Sequence, residues 1–440
     1  MDKNMTTTSP KIVAVGAGSG FGRGTIVDVL GAPEFEQLGG SLVLMDQDSR
    51  TLERMHRFAL LVKEHFRSRV TIEATTRLRE ALPGANYVII SVAVKRYELW
   101  EQDFRVPLAF GFKHVLGENG GPGALFHALR NFELVIPICR EVEELCPDAL
   151  VLNYTNPESR IVRAISDLTK VRAVGLCHGV FGAQEGVSRI LGVPSKDIDF
   201  LSGGLNHFFW FLRIADRRTG KDLYPELRRR ALSDSDCPAM PPLVRKMLEV
   251  FGHYTYPSDD HIGEYLSFAY EFTGLKWHYG LESHKVPPAA PSQPRGRSGR
   301  YVAGEGPLDE NALEPSGELA VPIILAIELN RRLWASAVNV PNAAGYLDQL
   351  PQDAVVELPA WADVGGIHPQ KLPPMPEALA ALCRTQASIQ QLVVEAYRQR
   401  SRNLLLQTLL LDPVVNSVAN AEKMLDYMLE LQSEYLPKFA

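Results

Sequence analysis

The sequence is poor in cysteine, in long apolar runs and in excess charge, and each shortage excludes something. Five cysteines stand in 440 residues: Cys139, Cys146, Cys177, Cys237 and Cys383. An odd, sparse set does not build a disulfide framework, so a reducing compartment, the cytoplasm, is expected, and a special cysteine is left to catalysis or metal ligation. No apolar run reaches the roughly 18 residues of a membrane span. The opening MDKNMTTTSP lacks the apolar core of a secretion signal, and residues 1–10 are expected to be a flexible tail. A net charge of −6 gives no basic footprint for nucleic acid or an anionic membrane, and neither is expected as a partner.

The length suggests more than one core. The first half alternates strand and helix signals. Strand candidates are KIVAV (11–15), SLVLMD (41–46), RVTIEAT (69–75), NYVIISVA (86–93), ALVLNYT (149–155) and RAVGLC (172–177), separated by helical stretches such as 129–146. The expected fold is α/β: an N-terminal Rossmann-type doubly wound sheet over 11–200 as the NAD-binding part. An α+β C-terminal part over 201–440 is then left for substrate, metal and oligomer contacts.

GAGSGFG (16–22) follows the first strand candidate and opens a helix. In this reading Gly16 makes the turn, Gly18 lets backbone approach a pyrophosphate, and Gly22 permits close helix packing, with Ser19, Gly20 and Phe21 in the same turn. The spacing is GxGxxxG, one residue longer than the usual dinucleotide pattern. Asp46 ends the second strand candidate, where a ribose-binding acid of an NAD site falls. It also reads as a helix cap. Val92, next to last in the fourth, is expected as a further cofactor contact.

Polar residues interrupt apolar segments at three places. Cys177 and His178 end the strand candidate 172–177, Asn206 and His207 break FLSGGLNHFFWF, and Asp260, His261, Glu264 and Tyr265 cluster in YPSDDHIGEYLSF. A cysteine and a histidine open to water and substrate oxygens suit Mn²⁺, Fe²⁺, Co²⁺, Ni²⁺ or Zn²⁺. The third cluster offers an acid or base, or simply the acidic start of a helix. Arg295, Arg297 and Arg300 lie in a Pro- and Gly-rich loop, as solvated charge or as a lid over an anionic substrate. The amphipathic stretch 376–411 is expected to build core and an oligomer interface.

Taken in order, GAGSGFG, GENGGPGA (117–124), LNYTNPESR (152–160), GLCHG (175–179), GLNHFFW (204–210), DDHIGEY (259–265) and VNVPN (338–342) resemble family 4 of the glycoside hydrolases, over nearly the whole chain. That resemblance implies the lactate and malate dehydrogenase superfamily fold, NAD⁺ and a divalent metal, most often Mn²⁺. It implies chemistry by C3 oxidation, C2 deprotonation and loss of the aglycone, with the hydride returned at the end. It assigns metal ligation to Cys177 and His207 and substrate contacts to Asn153 and Glu118. His178 takes the position of a general acid, and Asp260, then His261, then Tyr265 that of the C2 base. Ala93 stands where some relatives carry an arginine, and Lys95 and Arg96 are the nearby cations. The pattern CHG is similar to the α-glucuronidase and α-galacturonidase subgroup. The expected substrate is therefore a small α-glycoside or short oligosaccharide bearing a uronic acid, and the expected assembly a homodimer or homotetramer. A family 4 α-glucosidase or α-galactosidase is the alternative. More remotely, an NAD-dependent dehydrogenase of 2-hydroxy acids shares the fold.

Overall fold

The computed structural model describes residues 9–233, 240–277, 279 and 312–440. Cys237 and the arginines at 295, 297 and 300 lie outside the described residues. One sheet of 11 strands organises the molecule. Six parallel strands come first: β1 (Lys11–Val15), β2 (Ser41–Met45), β3 (Thr71–Thr75), β4 (Tyr87–Ile90), β5 (Leu150–Asn153) and β6 (Arg172–Gly175). Their spatial order is β3-β2-β1-β4-β5-β6, that of a Rossmann sheet. Next in the chain come the antiparallel pair β7 (Ile198–Leu205) and β8 (Phe208–Asp216), then β9 (Leu333–Pro341), β10 (Val355–Asp363) and β11 (Gly366–Pro369). The sheet continues from β6 through β9 and β10 to β7 and β8, so two late strands are inserted between β6 and β7.

Strand sequences explain the burial. Val13, Val15, Val43, Met45, Val88 and Ile90 enter one apolar cluster. Their neighbours Ile12, Ala14, Leu42, Leu44 and Ile89 enter the other. Successive side chains point to opposite faces. Strands covered on both sides therefore read as unbroken apolar runs. Helices Gly123–Leu145, Glu377–Gln399, Arg402–Leu411 and Val418–Leu431 cover one face. Helices Gly22–Gly31, Ser49–Phe66 and Gly179–Leu191 cover the other, and that cluster runs on into β7, β8 and helix Pro242–Phe251.

A buried ion pair ties the C-terminal helices to the parallel half. Arg130 meets Asp103 through two parallel bonds of 2.9 and 2.5 Å and donates to Gln432 at 2.6 Å. Both charged side chains are almost wholly buried. Asp103→Ala leaves the guanidinium uncompensated and is expected to cost about 3–5 kcal/mol, read as a fall in Tm and in denaturant midpoint.

Candidate active site

The glycine turn is tight and closely packed at Gly16 and Gly22. Gly16 sits at φ +81°, and a Cβ there would lie 2.0 Å from the Ser91 carbonyl oxygen. A Cβ on Gly22 would lie 1.8 Å from the Ala17 oxygen, so the helix starts hard against the turn. Asp46 is not a helix cap. Its Oδ2 accepts from the Gly18 amide at 2.8 Å and its Oδ1 from Asp48 N at 3.0 Å. The cap of helix Ser49–Phe66 is Asp48, which accepts from Thr51 N. Gly16, Gly18, Ser19, Gly20, Phe21, Asp46 and Val92 all line a cavity of about 1300 Å³, with Gly22 behind the turn.

At its other end the same cavity is lined by Glu118, Cys177, His178, His207 and His261. Cys177 follows the end of β6, and helix Gly179–Leu191 begins just after it, its Gly179 amide 3.4 Å from the sulfur. A helix N-terminus favours the thiolate. His207 lies in the tight turn between β7 and β8 at φ +61°, a conformation that non-glycine residues hold only when surroundings impose it. The turn brings His207 Nε2 to 3.4 Å from Cys177 Sγ. Sulfur and nitrogen ligands at about 2.3 and 2.1 Å from one ion would lie roughly 3.1 Å apart at a right angle and 3.6 Å at a tetrahedral one. The donor pair therefore fits a divalent cation without movement. Among the described residues no group of three or more His, Cys, Asp or Glu could hold one.

Burial pushes the Cys177 thiol well up, with Glu357 adding to it, and pushes the His207 imidazole well down, with His261 and His178 adding. Neutral imidazole is the ligating form. Asn119 stands 3.2 Å from His207 Nδ1, and its Oδ1 has no partner. Turning that amide places the oxygen on Nδ1–H and leaves the Nε2 lone pair facing Cys177. The Glu118–Asn119 turn is held by the buried Glu264 carboxylate. It accepts from the amides of Glu118 and Asn119 at 2.6 Å and of Gly120 at 3.0 Å.

His261 and Asp260 form a pair, Nδ1 to Oδ1 at 2.8 Å, and His261 is the member that lines the cavity. Burial alone would raise Asp260, but His261, Ser258 and Tyr279 outweigh it and hold the carboxyl well below its ordinary value. Burial works against a charged His261, but Asp260 outweighs it and raises the imidazole. Glu318 accepts from or donates to His178 Nδ1 at 2.9 Å, according to proton position, and raises that imidazole. Arg96 lines the cavity and meets the buried Glu118 at 2.9 Å through Nη2. Lys95 also lines it but is bonded to Tyr435.

Besides Gly22, three expected residues do not line the cleft: Asp260, which reaches it only through His261, Asn153 and Tyr265. Asn153 is fully buried, its amide donating to Glu158 at 2.8 Å and to Thr155 O at 3.0 Å. Tyr265 is buried too, its hydroxyl donating to Asn206 O at 3.1 Å, with its ring against Phe208. Tyr256 was not foreseen. It lines the cavity, stacked on His261 at 5.0 Å and 4.7 Å from the His207 ring. An aromatic residue just ahead of the DDH cluster was its one signal. His127 and Asn131 line the cavity as well and carried no signal beyond lying on a helical stretch.

Comparison with known proteins decides the family. The model described as family 4 glycosyl hydrolase matches residues 11–193, and that of the family's C-terminal domain matches 202–415. The chain belongs to family 4 of the glycosyl hydrolases. It is similar to an alpha-glucosidase of Erwinia rhapontici, 32% identical over 97% of this chain and 98% of that one. It is also similar to an alpha-galacturonidase of Lachnoclostridium phytofermentans, 27% identical over 99% and 98%. Two further relatives bear the name alpha-galactosidase. A 6-phospho-alpha-glucosidase from gut microorganisms, solved in complex with NAD and Mn²⁺, shares the fold. The TM-score is 0.82 at 22% identity, covering 98% of this chain and 100% of that one. This family 4 chain is accordingly a glycosidase, with a parallel-dominated α/β sheet.

Because Gly16 combines a left-handed φ with a backbone oxygen in the place of a side chain, Gly16→Ala is expected to destabilise by at least about 1 kcal/mol. Thermal unfolding checks it; an unchanged Tm would contradict the turn geometry.

Proposed function

We propose that this glycosidase requires NAD⁺ and a divalent metal, Mn²⁺ foremost, and cleaves α-linked uronides. The observation that carries the reading is the Cys177–His207 pair, 3.4 Å apart, in the cavity that the glycine turn and Asp46 also line. The two-carboxylate pattern of most glycosidases does not apply to NAD-dependent members of this family. Bound NAD⁺ would supply hydride acceptance and return at sugar C3, and a bound metal would supply charge stabilisation at the neighbouring oxygens. Gly16–Gly22 and Asp46 would hold the dinucleotide, and Cys177 and His207 the metal. The Asp260–His261 pair removes the C2 proton when the imidazole is neutral, above its raised pKa, with His261 facing the sugar and Asp260 fixing the ring. His178, held by Glu318, protonates the leaving oxygen. Glu118 sits beside the metal pair and anchors Arg96.

Arg96 supports the uronide. Its Nη2 is engaged by Glu118, and the guanidinium is partly exposed to the cavity, so the rest of the fork is open to a substrate carboxylate. Arg160 is buried away from that cavity. The Erwinia relative supports a second reading, a neutral α-glucoside. Exposed Leu410, Leu411, Val418, Tyr427 and Leu431 on the last two helices support a homodimer or homotetramer, and the four free cysteines among the described residues suit the cytoplasm.

The test is hydrolysis of p-nitrophenyl α-D-glucuronide, α-D-galacturonide and α-D-glucoside with NAD⁺, Mn²⁺ and a thiol reductant, each omitted in turn. Uronide cleavage lost on omission of NAD⁺ or metal, with no net NADH, is expected. Net NADH on a hydroxy acid, with no glycoside cleaved, would contradict the reading. Arg96→Ala is expected to lower kcat/KM on the uronide by roughly tenfold to a hundredfold and leave the glucoside nearly unchanged. Equal losses on both would remove Arg96 from that role.

A further inference from the structure

Four strands meet on one row where the two halves of the sheet join. Gly175 of β6 faces Asn339 of β9, Asn339 faces Glu357 of β10, and Glu357 faces Gly204 of β7. Cys177 lies just beyond one end of that row and His207 just beyond the other. At its centre Glu357 is 1% exposed, and no lysine, arginine or histidine among the described residues forms an ion pair with it. Its Oε1 accepts from Asn206 Nδ2 at 3.0 Å and from Asn339 Nδ2 at 3.2 Å, while Oε2 has no partner. Asn206 precedes His207 in the turn, and its side chain lies near enough to Cys177 to lower that thiol's pKa. Asn339 reaches back to the Gly175 carbonyl at 3.4 Å. One buried carboxylate thus gathers the amides that brace both ligand-bearing loops.

A buried carboxylate without a cation is costly. A carboxylate that orients ligands through hydrogen bonds, one layer behind them, is what a bound cation's outer shell supplies. We propose that Glu357 is a positioning residue of the metal centre, fixing Cys177 against His207 through Asn206 and Asn339 and placing negative charge behind the ion. The inference rests on the reading of Cys177 and His207 as the metal ligands.

The experiment is titration of the metal-free enzyme with Co²⁺, following the thiolate-to-cobalt charge-transfer absorption and the Kd, alongside circular dichroism and Tm. Wild type is expected to develop the band and Cys177→Ser to lack it. Glu357→Gln is expected to keep the fold, shift or weaken the band and bind Co²⁺ ten- to hundredfold less tightly. A purely structural role would lower Tm and leave band and Kd alone. Glu357→Gln with wild-type band and Kd overturns the role of Glu357 while the metal reading stands. Wild type without a thiolate band overturns the metal reading itself. If Glu357→Gln does not fold, Asn206→Ala carries the test, because it cuts the link to Cys177 and leaves the Glu357–Asn339 pair. The same weakening is expected, and an unchanged Kd overturns the proposal.

Discussion

The approach of Cys177 to His207 is the constraint on which the cleft depends. β9 and β10 separate the strands that carry them, roughly 14 Å of sheet at about 4.8 Å per spacing. Two loops must reach over both inserted strands to bring sulfur and nitrogen within 3.4 Å. The left-handed His207 and the Gly179 amide on the sulfur are the local means. The row Gly175–Asn339–Glu357–Gly204 is the frame beneath. Because β9 and β10 come more than a hundred residues after β7 in the chain, the ligand pair is complete only when the late strands are in place.

The electrostatics follow from position. Burial holds the Cys177 thiol and the His207 imidazole toward their neutral forms, so ligation of a cation must displace the thiol proton. Beside them, with the His261 ring 4.9 Å from that of His207, the Asp260–His261 pair is tuned the opposite way, with each partner favouring the charged form of the other. One cavity therefore joins a neutral soft pair to a polarised acid–base pair, and the dinucleotide turn forms its far end.

Legibility in the sequence tracked how local each signal was. The parallel strands were readable because both faces are covered and each is a short apolar run next to a turn. The glycine turn was readable because close packing at Gly16 and Gly22 permits little else. Helix ends were less so: the stretch read from 129 begins at Gly123, and 376–411 is two helices broken at Arg400, which turns left-handed at φ +54°. What sequence did not carry was which side of a strand end a polar group faces. Asn153 turns inward to Glu158, and Tyr265 braces the Asn206 turn. Glu264 read as a candidate acid or base and Glu357 carried no signal, because the work of both is to collect amides from segments far away in the chain.

The most direct test of the central claim is hydrolysis of an aryl α-uronide in D₂O with NAD⁺ and Mn²⁺, following the C2 position of the released sugar by proton NMR. Removal of the C2 proton before the aglycone leaves predicts deuterium at C2 of the product and a slower reaction with C2-deuterated substrate. A product that keeps its C2 proton in full, with no isotope effect, would contradict the account and point to direct displacement at C1.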